Sequence, residues 1–293
     1  MTADGWATDN TTWSIRVPAS SANLGPGFDV LGMALTLHAE IGCGDAPEGA
    51  HAADDHHPAT IAFRRAGGSG PLWIRSPIPM GRGLGFSGAV RVGGASAAFV
   101  QIDGHGALDD PESRREILRI SADLEHHADN AAASLHGGIV AVADDTVTSV
   151  PLAFDPAVVV WIPAVATTST DRSRTSLSDT VARADAVFNL SRVAMFVAAC
   201  ASGDAAALRQ ATEDRLHQAE RLGAVPASAA ALGAGLAAGA WAAWLSGSGP
   251  TVAMLCEPSR ADELAAALPG AGQTKVLRID HEGATVTATA APG

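Results

Sequence analysis

A glycine-rich loop, Pro79-Met-Gly-Arg-Gly-Leu-Gly-Phe-Ser-Gly88, runs directly into an apolar, helix-compatible stretch from Ala89 to Val100. Glycines at 81, 83 and 85 let the backbone take positive φ and approach a ligand closely. The helix start that follows leaves its first N–H groups without intrahelical partners, at the positive end of the macrodipole. Such a loop cradles phosphate, although glycine-rich strand-to-helix turns also arise for steric reasons alone. A Walker A loop is excluded, because it requires Gly-Lys-Ser/Thr. The chain holds a single lysine, Lys275, among its 19 basic residues. No lysine therefore bridges phosphates from this loop, and the lysine-dependent protein-kinase arrangement is equally unavailable.

Composition narrows the partners. A chain of 293 residues, 47% of them hydrophobic, is long enough for two ordinary domains. Its net charge of −12 repels phosphate backbones, so nucleic acid is not expected as a partner. Cys43, Cys200 and Cys256 are widely spaced and odd in number. They form neither a disulfide framework nor a ligand pair, which fits a reducing, cytoplasmic setting. The first twelve residues lack a basic cluster and an apolar core, so no secretory signal is expected there. From Leu222 to Cys256 there is no charged residue, yet Pro226, Gly233, Gly239 and the run Ser246-Gly-Ser-Gly-Pro250 break the stretch. It reads as a buried helix followed by a buried strand, with no membrane span.

Strand patterns cover Trp13 to Val17 and Leu35 to Ile41, and residues 44 to 58 read as an irregular connection. Asp110-Pro111 supplies an N-cap and a proline at N1 for a helix whose Ile117, Ile120 and Leu124 share a face. A second helix runs from about Asp185 to Ala201, closed by Gly203, and Asp204 caps a third that ends near His217. The C-terminal part reads as helix to about Gly239, strands at 241–245 and 251–257, a helix over 259–268, and strands at 275–279 and 285–289. Without the regular βα alternation of a doubly wound sheet, the pattern predicts an α+β protein of two domains, residues 13–155 and 156–293.

Three clusters carry a resemblance. Val17-Pro-Ala-Ser-Ser-Ala-Asn-Leu-Gly-Pro-Gly-Phe-Asp29, the loop Pro79 to Gly88, and Leu245-Ser-Gly-Ser-Gly-Pro-Thr251 resemble, in order, the three signature motifs of the GHMP kinases (galactokinase, homoserine kinase, mevalonate kinase, phosphomevalonate kinase). The first motif is similar to the homoserine kinase version almost letter for letter. His127-Ala-Asp-Asn130, Thr170 to Arg174, Asp185 to Arg192 and Asp214-Arg-Leu-His-Gln218 add to it. The resemblance implies a ribosomal-protein-S5-like N-terminal domain packed on a ferredoxin-like C-terminal domain, with the site between them. It also implies ATP and Mg²⁺, with the hydroxyl of L-homoserine as phosphate acceptor and O-phospho-L-homoserine, a threonine precursor, as product. A homodimer is compatible with it.

By position, the resemblance implies that Pro79, Gly81, Arg82, Gly83, Leu84, Gly85, Phe86, Ser87 and Gly88 hold the nucleotide, with His57 near adenine. Ser87 and Asp123 would serve Mg²⁺, and Asn130 would stand beside the reacting hydroxyl. Asn23, Asp29, His127, Arg174, Arg221, Gly247 and Ser248 would surround homoserine. The chemistry suits a zwitterion: Arg174 and Arg221 can pair with its carboxylate, and Asp29 with its ammonium group. Asn130 cannot accept a proton at neutral pH, a feature that the resemblance attributes to homoserine kinases.

Four positions depart from the pattern. Phe86 replaces the first of two tandem serines, Asp123 stands where a glutamate is expected, His126 where glycine is common, and His57 where asparagine is usual. Two other readings stay open: a kinase of the same superfamily acting on another small hydroxylated amino acid or alcohol, and a non-catalytic ligand-binding protein on the same fold.

Overall fold

The computed structural model describes residues 12–164, 175 and 177–289. Strand β1 (Thr12–Ala22) and strand β2 (Leu31–Cys43) form a long antiparallel pair, with a register shift between Pro18 and Ala19. Their inward residues, among them Ile15, Val17, Met33, Leu35 and Ile41, are fully buried. Next come β3 (His51–Ala53), α1 (Pro58–Arg65), β4 (Leu72–Arg75) and the long α2 (Phe86–Asp103). Helix α3 (Pro111–Glu125) starts as the sequence predicts: the Ser113 amide donates to Asp110 Oδ2 at 2.7 Å, and Pro111 occupies the first turn. Then follow α4 (Asp129–His136), β5 (Ile139–Ala143) and β6 (Thr146–Ser149).

The second half opens with β7 (Ala157–Pro163), in which every residue is buried. Val158 and Val160 enter the core shared with the first half, while Val159 and Trp161 enter a smaller core on the opposite face. That alternation is what a strand covered on both sides requires. It is followed by α5 (Arg183–Ser202), α6 (Leu208–Ala211), α7 (Gln218–Ala224), α8 (Pro226–Ala237), β8 (Ala242–Leu245), β9 (Val252–Cys256), α9 (Ala261–Ala266) and β10 (Gly272–Leu277). The four strands run β10-β7-β9-β8, all antiparallel. In chain order that is fourth, first, third, second, with helices between the first two and the last two, which is the ferredoxin-like arrangement. The uncharged stretch after Leu222 becomes α8, β8 and β9, as expected. Helix α5 is long and apolar enough to cross a membrane by length and composition alone, with 22% of its most apolar window buried.

One strand changes allegiance. Residues 156–293 were expected to form one domain, but β11 (Thr285–Thr289) pairs antiparallel with β1, from Arg16↔Thr285 to Trp13↔Ala288. The larger sheet therefore runs β11-β1-β2-β4-β3, with β5 on β2 and β6 on β5. Two expected elements are also altered. The connection at 44–58 contains β3, and the helix capped by Asp204 stops at Ala211. Beyond it the Asp214 carboxylate accepts the amides of Leu216, His217 and Gln218, organising a loop that competes with the helix.

Candidate active site

The loop Pro79 to Gly85 is wedged between the end of β1 and the β8–β9 turn. The Ser20 amide donates to Leu84 O at 3.2 Å, Ser246 Oγ donates to Gly83 O at 2.5 Å, and the Thr251 amide donates to Arg82 O at 3.2 Å. These contacts leave no room for side chains. A Cβ on Gly83 (φ +75°) would lie 2.3 Å from Ser246 O, and one on Gly85 (φ +66°) would lie 2.0 Å from Ser20 Oγ. Gly85 is also the N-cap of α2, with no side-chain cap, so the amides of Phe86, Ser87 and Gly88 point out of the helix end as an anion cradle. The Arg82 side chain turns away from it and donates to the carbonyls of Pro163 and Ala164, tying the loop to the end of β7.

The cradle forms one wall of a cleft of about 150 Å³, and a set of polar side chains forms the other. Asn23 (φ +71°) is buried; its Nδ2 donates to Gly247 O at 3.0 Å, and its Oδ1 accepts the Asp29 amide at 3.1 Å. This clasp joins the first and third motifs and brings Asp29, Gly247 and Ser248 to the cleft. Arg221, on α7, is buried with its guanidinium 5.2 Å from the Phe28 ring, and NH1 donates to Gly247 O and to His217 Nδ1, both at 3.3 Å. His217 in turn donates from Nε2 to Gly25 O at 2.8 Å, and burial pushes its pKa below the ordinary value. Asn189 of α5 supports this wall from behind, donating to Pro26 O at 3.0 Å and Asp214 Oδ1 at 2.7 Å.

At the floor, Ser20 Oγ donates to Asn130 Oδ1 at 2.9 Å. Asp129 is buried and accepts both the Asn130 amide and His127 Nδ1, each at 2.8 Å. These bonds orient the imidazole and the carboxamide towards the cleft, which both residues line.

Most of the expected residues thus meet in one cleft: Asn23, Asp29, the loop Pro79 to Gly88 apart from Met80, His127, Asn130, Arg221, Gly247 and Ser248. Among the described residues His57 lies elsewhere, and so does Asp123. It sits on the outer face of α3, 46% exposed, paired with Arg119 at 2.9 Å and Arg65 at 3.7 Å. Two residues along a helix rotate by about 200°, so the carboxylate that reaches the cleft is Glu125. Ser87 Oγ donates to Glu125 Oε1 at 2.5 Å. No shortened acidic ligand exists at this site; the glutamate expected there is Glu125. His126, the other oddity of this segment, is the left-handed C-cap of α3 (φ +62°), a conformation that favours glycine.

His57 lies outside the cleft, where its Nδ1 accepts the Ala59 amide at 3.1 Å and caps α1. Its ring stands edge-on to Phe86, with centroids 6.2 Å apart. Both line an adjoining apolar cavity of about 330 Å³ with Ile74, Ile78 and Met80. Phe86 borders both spaces, so its ring marks the junction between the phosphate cradle and the apolar cavity. Arg174, Arg172 and the run from Thr170 lie outside the described residues, as do residues 1–11.

A donor set can be tested against Mg²⁺. Among the described residues there is no group of three or more His, Cys, Asp or Glu suited to a metal. Mg²⁺, however, is commonly held by one or two protein oxygens together with phosphates and waters. The Ser87 hydroxyl and the Glu125 carboxylate, side by side at the cradle, fit that chemistry.

Residues 54–138 match the family of GHMP kinases N terminal domains, and residues 196–274 match the GHMP kinases C terminal family. The chain is 38% identical to the homoserine kinase of Thermus thermophilus over 285 residues, 90% of this chain and 95% of that one. It is also 38% identical to that of Gloeobacter violaceus over 265 residues, 82% of this chain and 86% of the relative. The chain belongs to the homoserine kinase family. Its fold matches the crystal structure of homoserine kinase from Cytophaga hutchinsonii, with a TM-score of 0.82 over 96% of this chain and 99% of that one at 23% identity. The mevalonate kinase of Methanococcus jannaschii shares the fold more distantly, with a TM-score of 0.67 over 92% of this chain and 99% of that one at 13% identity. The α+β, two-sheet GHMP kinase fold implied by the motifs is the one observed.

Proposed function

We propose that this member of the family transfers the γ-phosphoryl group of ATP to the hydroxyl of L-homoserine, giving O-phospho-L-homoserine for threonine synthesis in the cytoplasm. The observation that carries the reading is the cleft itself: a helix-start anion cradle faces a wall bearing Asp29 and the buried Arg221, one charge of each sign, in a homoserine kinase relative. Small zwitterions fit such a wall.

The amides at the start of α2 bind the β- and γ-phosphates, and the Phe86 ring packs beside the nucleoside. Arg221 holds the substrate carboxylate by charge-assisted hydrogen bonds, joined by Arg174, and Asp29 holds the ammonium group. The Asn130 carboxamide, fixed by Ser20, orients the hydroxyl and moves no proton. His127, fixed by Asp129, closes the floor. Phosphoryl transfer needs little covalent help from a protein, so positioning and charge neutralisation carry the acceleration. Mg²⁺, held by Ser87 and Glu125, would supply neutralisation of the phosphate oxygens. No nucleic acid or membrane partner is needed, and a second copy of the chain is compatible with this arrangement.

A coupled ADP-release assay over a panel of hydroxyl acceptors tests the reading. L-Homoserine is expected to give the highest kcat/KM, with L-serine poor because its shorter chain holds the hydroxyl back from the γ-phosphate. Another acceptor exceeding homoserine by about tenfold in kcat/KM would overturn it.

A further inference from the structure

Arg91 belongs to no motif and to none of the roles above. It lies on α2 one turn after Ser87, so its side chain runs along the same face of the helix. Its Nη1 donates to Ser87 Oγ and is ion-paired with the Glu125 carboxylate. The three groups form a closed triangle, because Ser87 Oγ also donates to Glu125 Oε1. The arginine side chain is 19% exposed and the glutamate 9%. Arg91 Nε is buried with no hydrogen-bond partner. The guanidinium is therefore held by what Nη1 gains from Glu125 and Ser87, with part of its donor capacity left unused.

These are the same two oxygens that suit a divalent cation. Accepting both cations at contact would crowd the same lone pairs, and the two positive charges repel. We propose that Arg91 is a resident competitor of the divalent cation: it holds Ser87 and Glu125 while the site has no nucleotide, so that the ion loads only together with phosphates. The inference rests on the metal role assigned above to Ser87 and Glu125. It assigns this chain a device that sets the order of loading, since phosphate oxygens must add their own donors before an ion displaces the guanidinium.

The device can be read without turnover. Mn²⁺ titrated calorimetrically into nucleotide-free protein is expected to show no saturable binding below about millimolar for the native chain, and binding at least about tenfold tighter for Arg91→Met. Removing the arginine leaves the buried Glu125 carboxylate with the Ser87 hydroxyl and, at 3.8 Å, His127 Nε2 but without its guanidinium partner, which is destabilising. Mn²⁺ should therefore raise the melting temperature of Arg91→Met while leaving that of the native chain unchanged. Adding Glu125→Gln to Arg91→Met should abolish both gains. Should Arg91→Met not fold, Arg91→Lys keeps a point charge but loses the fork, and a smaller gain in the same direction is expected. Tight Mn²⁺ binding by the native nucleotide-free protein overturns the proposal, as does a folded Arg91 variant that binds no more tightly than the native chain. Glu125→Gln alone separates this from the metal assignment. If it leaves the Mg²⁺ requirement of turnover unchanged, the assignment fails; if it raises that requirement while Arg91 variants gain no binding, the competition fails and the assignment stands.

Discussion

The two walls of the cleft are built by opposite means. The phosphate wall is backbone: glycines at positive φ, packed against Ser20 and Ser246, present amides from one continuous segment. The acceptor wall is side chain: Asn23 and Asp29 from the first motif meet Arg221 from a distant segment, Asn23 and Arg221 bonded to Gly247, Arg221 also to His217, and the Asp29 amide to Asn23. The first wall should tolerate changes of side chain but no added Cβ, while the second should tolerate small backbone shifts but no lost functional group.

The sharpest way to break that contrast is Gly85→Ala. With its Cβ 2.0 Å from Ser20 Oγ, the loop must move, and a shift near 1 Å costs about a hundredfold in kcat/KM. Native turnover and melting temperature in that variant would sink the backbone account. Arg221→Ala, on the other wall, removes a charge-assisted contact worth about 1.5–3 kcal/mol, so homoserine KM should rise about tenfold to a hundredfold. ATP KM should change much less; equal rises in both would mean that the arginine serves the fold rather than the acceptor.

Glu125→Gln compared with Asp123→Asn sharpens the contrast where the walls meet. The first should raise the Mg²⁺ requirement and lower kcat. The second touches only exposed ion pairs, worth about 0–1 kcal/mol, and should leave kinetics unchanged. Phe86→Ser should fold and turn over with a raised ATP KM and unaltered homoserine KM, because the half-buried ring borders the apolar cavity and the cradle, where the nucleotide is proposed to bind. A large loss of melting temperature with unchanged ATP KM would instead make Phe86 a core residue.

The smallest effect expected is on pH. Burial holds the His217 pKa below its ordinary value of 6.5. A histidine depressed in the folded state stabilises the fold above the unfolded pKa, and that contribution is lost as pH falls below it. Protonation would also set a second cation beside Arg221. Because the folded ring takes up a proton only at pH values below the ordinary histidine range, homoserine KM should rise before ATP KM as the pH is lowered through that acidic range, and His217→Gln should flatten the difference. Parallel rises for both substrates would count against a pH-sensitive acceptor wall.

The phosphate wall was legible in sequence because its information is local: glycine spacing followed by an apolar run specifies a cradle on a helix start. The N-cap at Asp110 and the strand at 285–289 were legible for the same reason. Pairing partners were not. Alternation in Thr285-Val-Thr-Ala-Thr289 marks a strand but says nothing about which sheet receives it. Asp123 was misassigned although helical period held the answer. Glu125 follows Leu118 by seven residues and Ser121 by four, both buried, whereas Asp123 follows the exposed Glu116 and Arg119 by the same intervals. Arg91 carried no local signal, since an arginine inside an apolar helix declares its partner only when α3 is packed beside it.

The return of β11 to β1 bears on synthesis. Residues 285–289 are made after both β1 and the whole ferredoxin-like sheet, yet they cover one edge of β1. During translation that edge waits unpaired while the ferredoxin-like half emerges and folds, a long-range closure of the kind that slows folding and exposes strands to wrong partners. The kinase is thus stitched shut by β11, and pulse proteolysis of stalled nascent chains should find β1 protected only once residue 289 has cleared the exit tunnel.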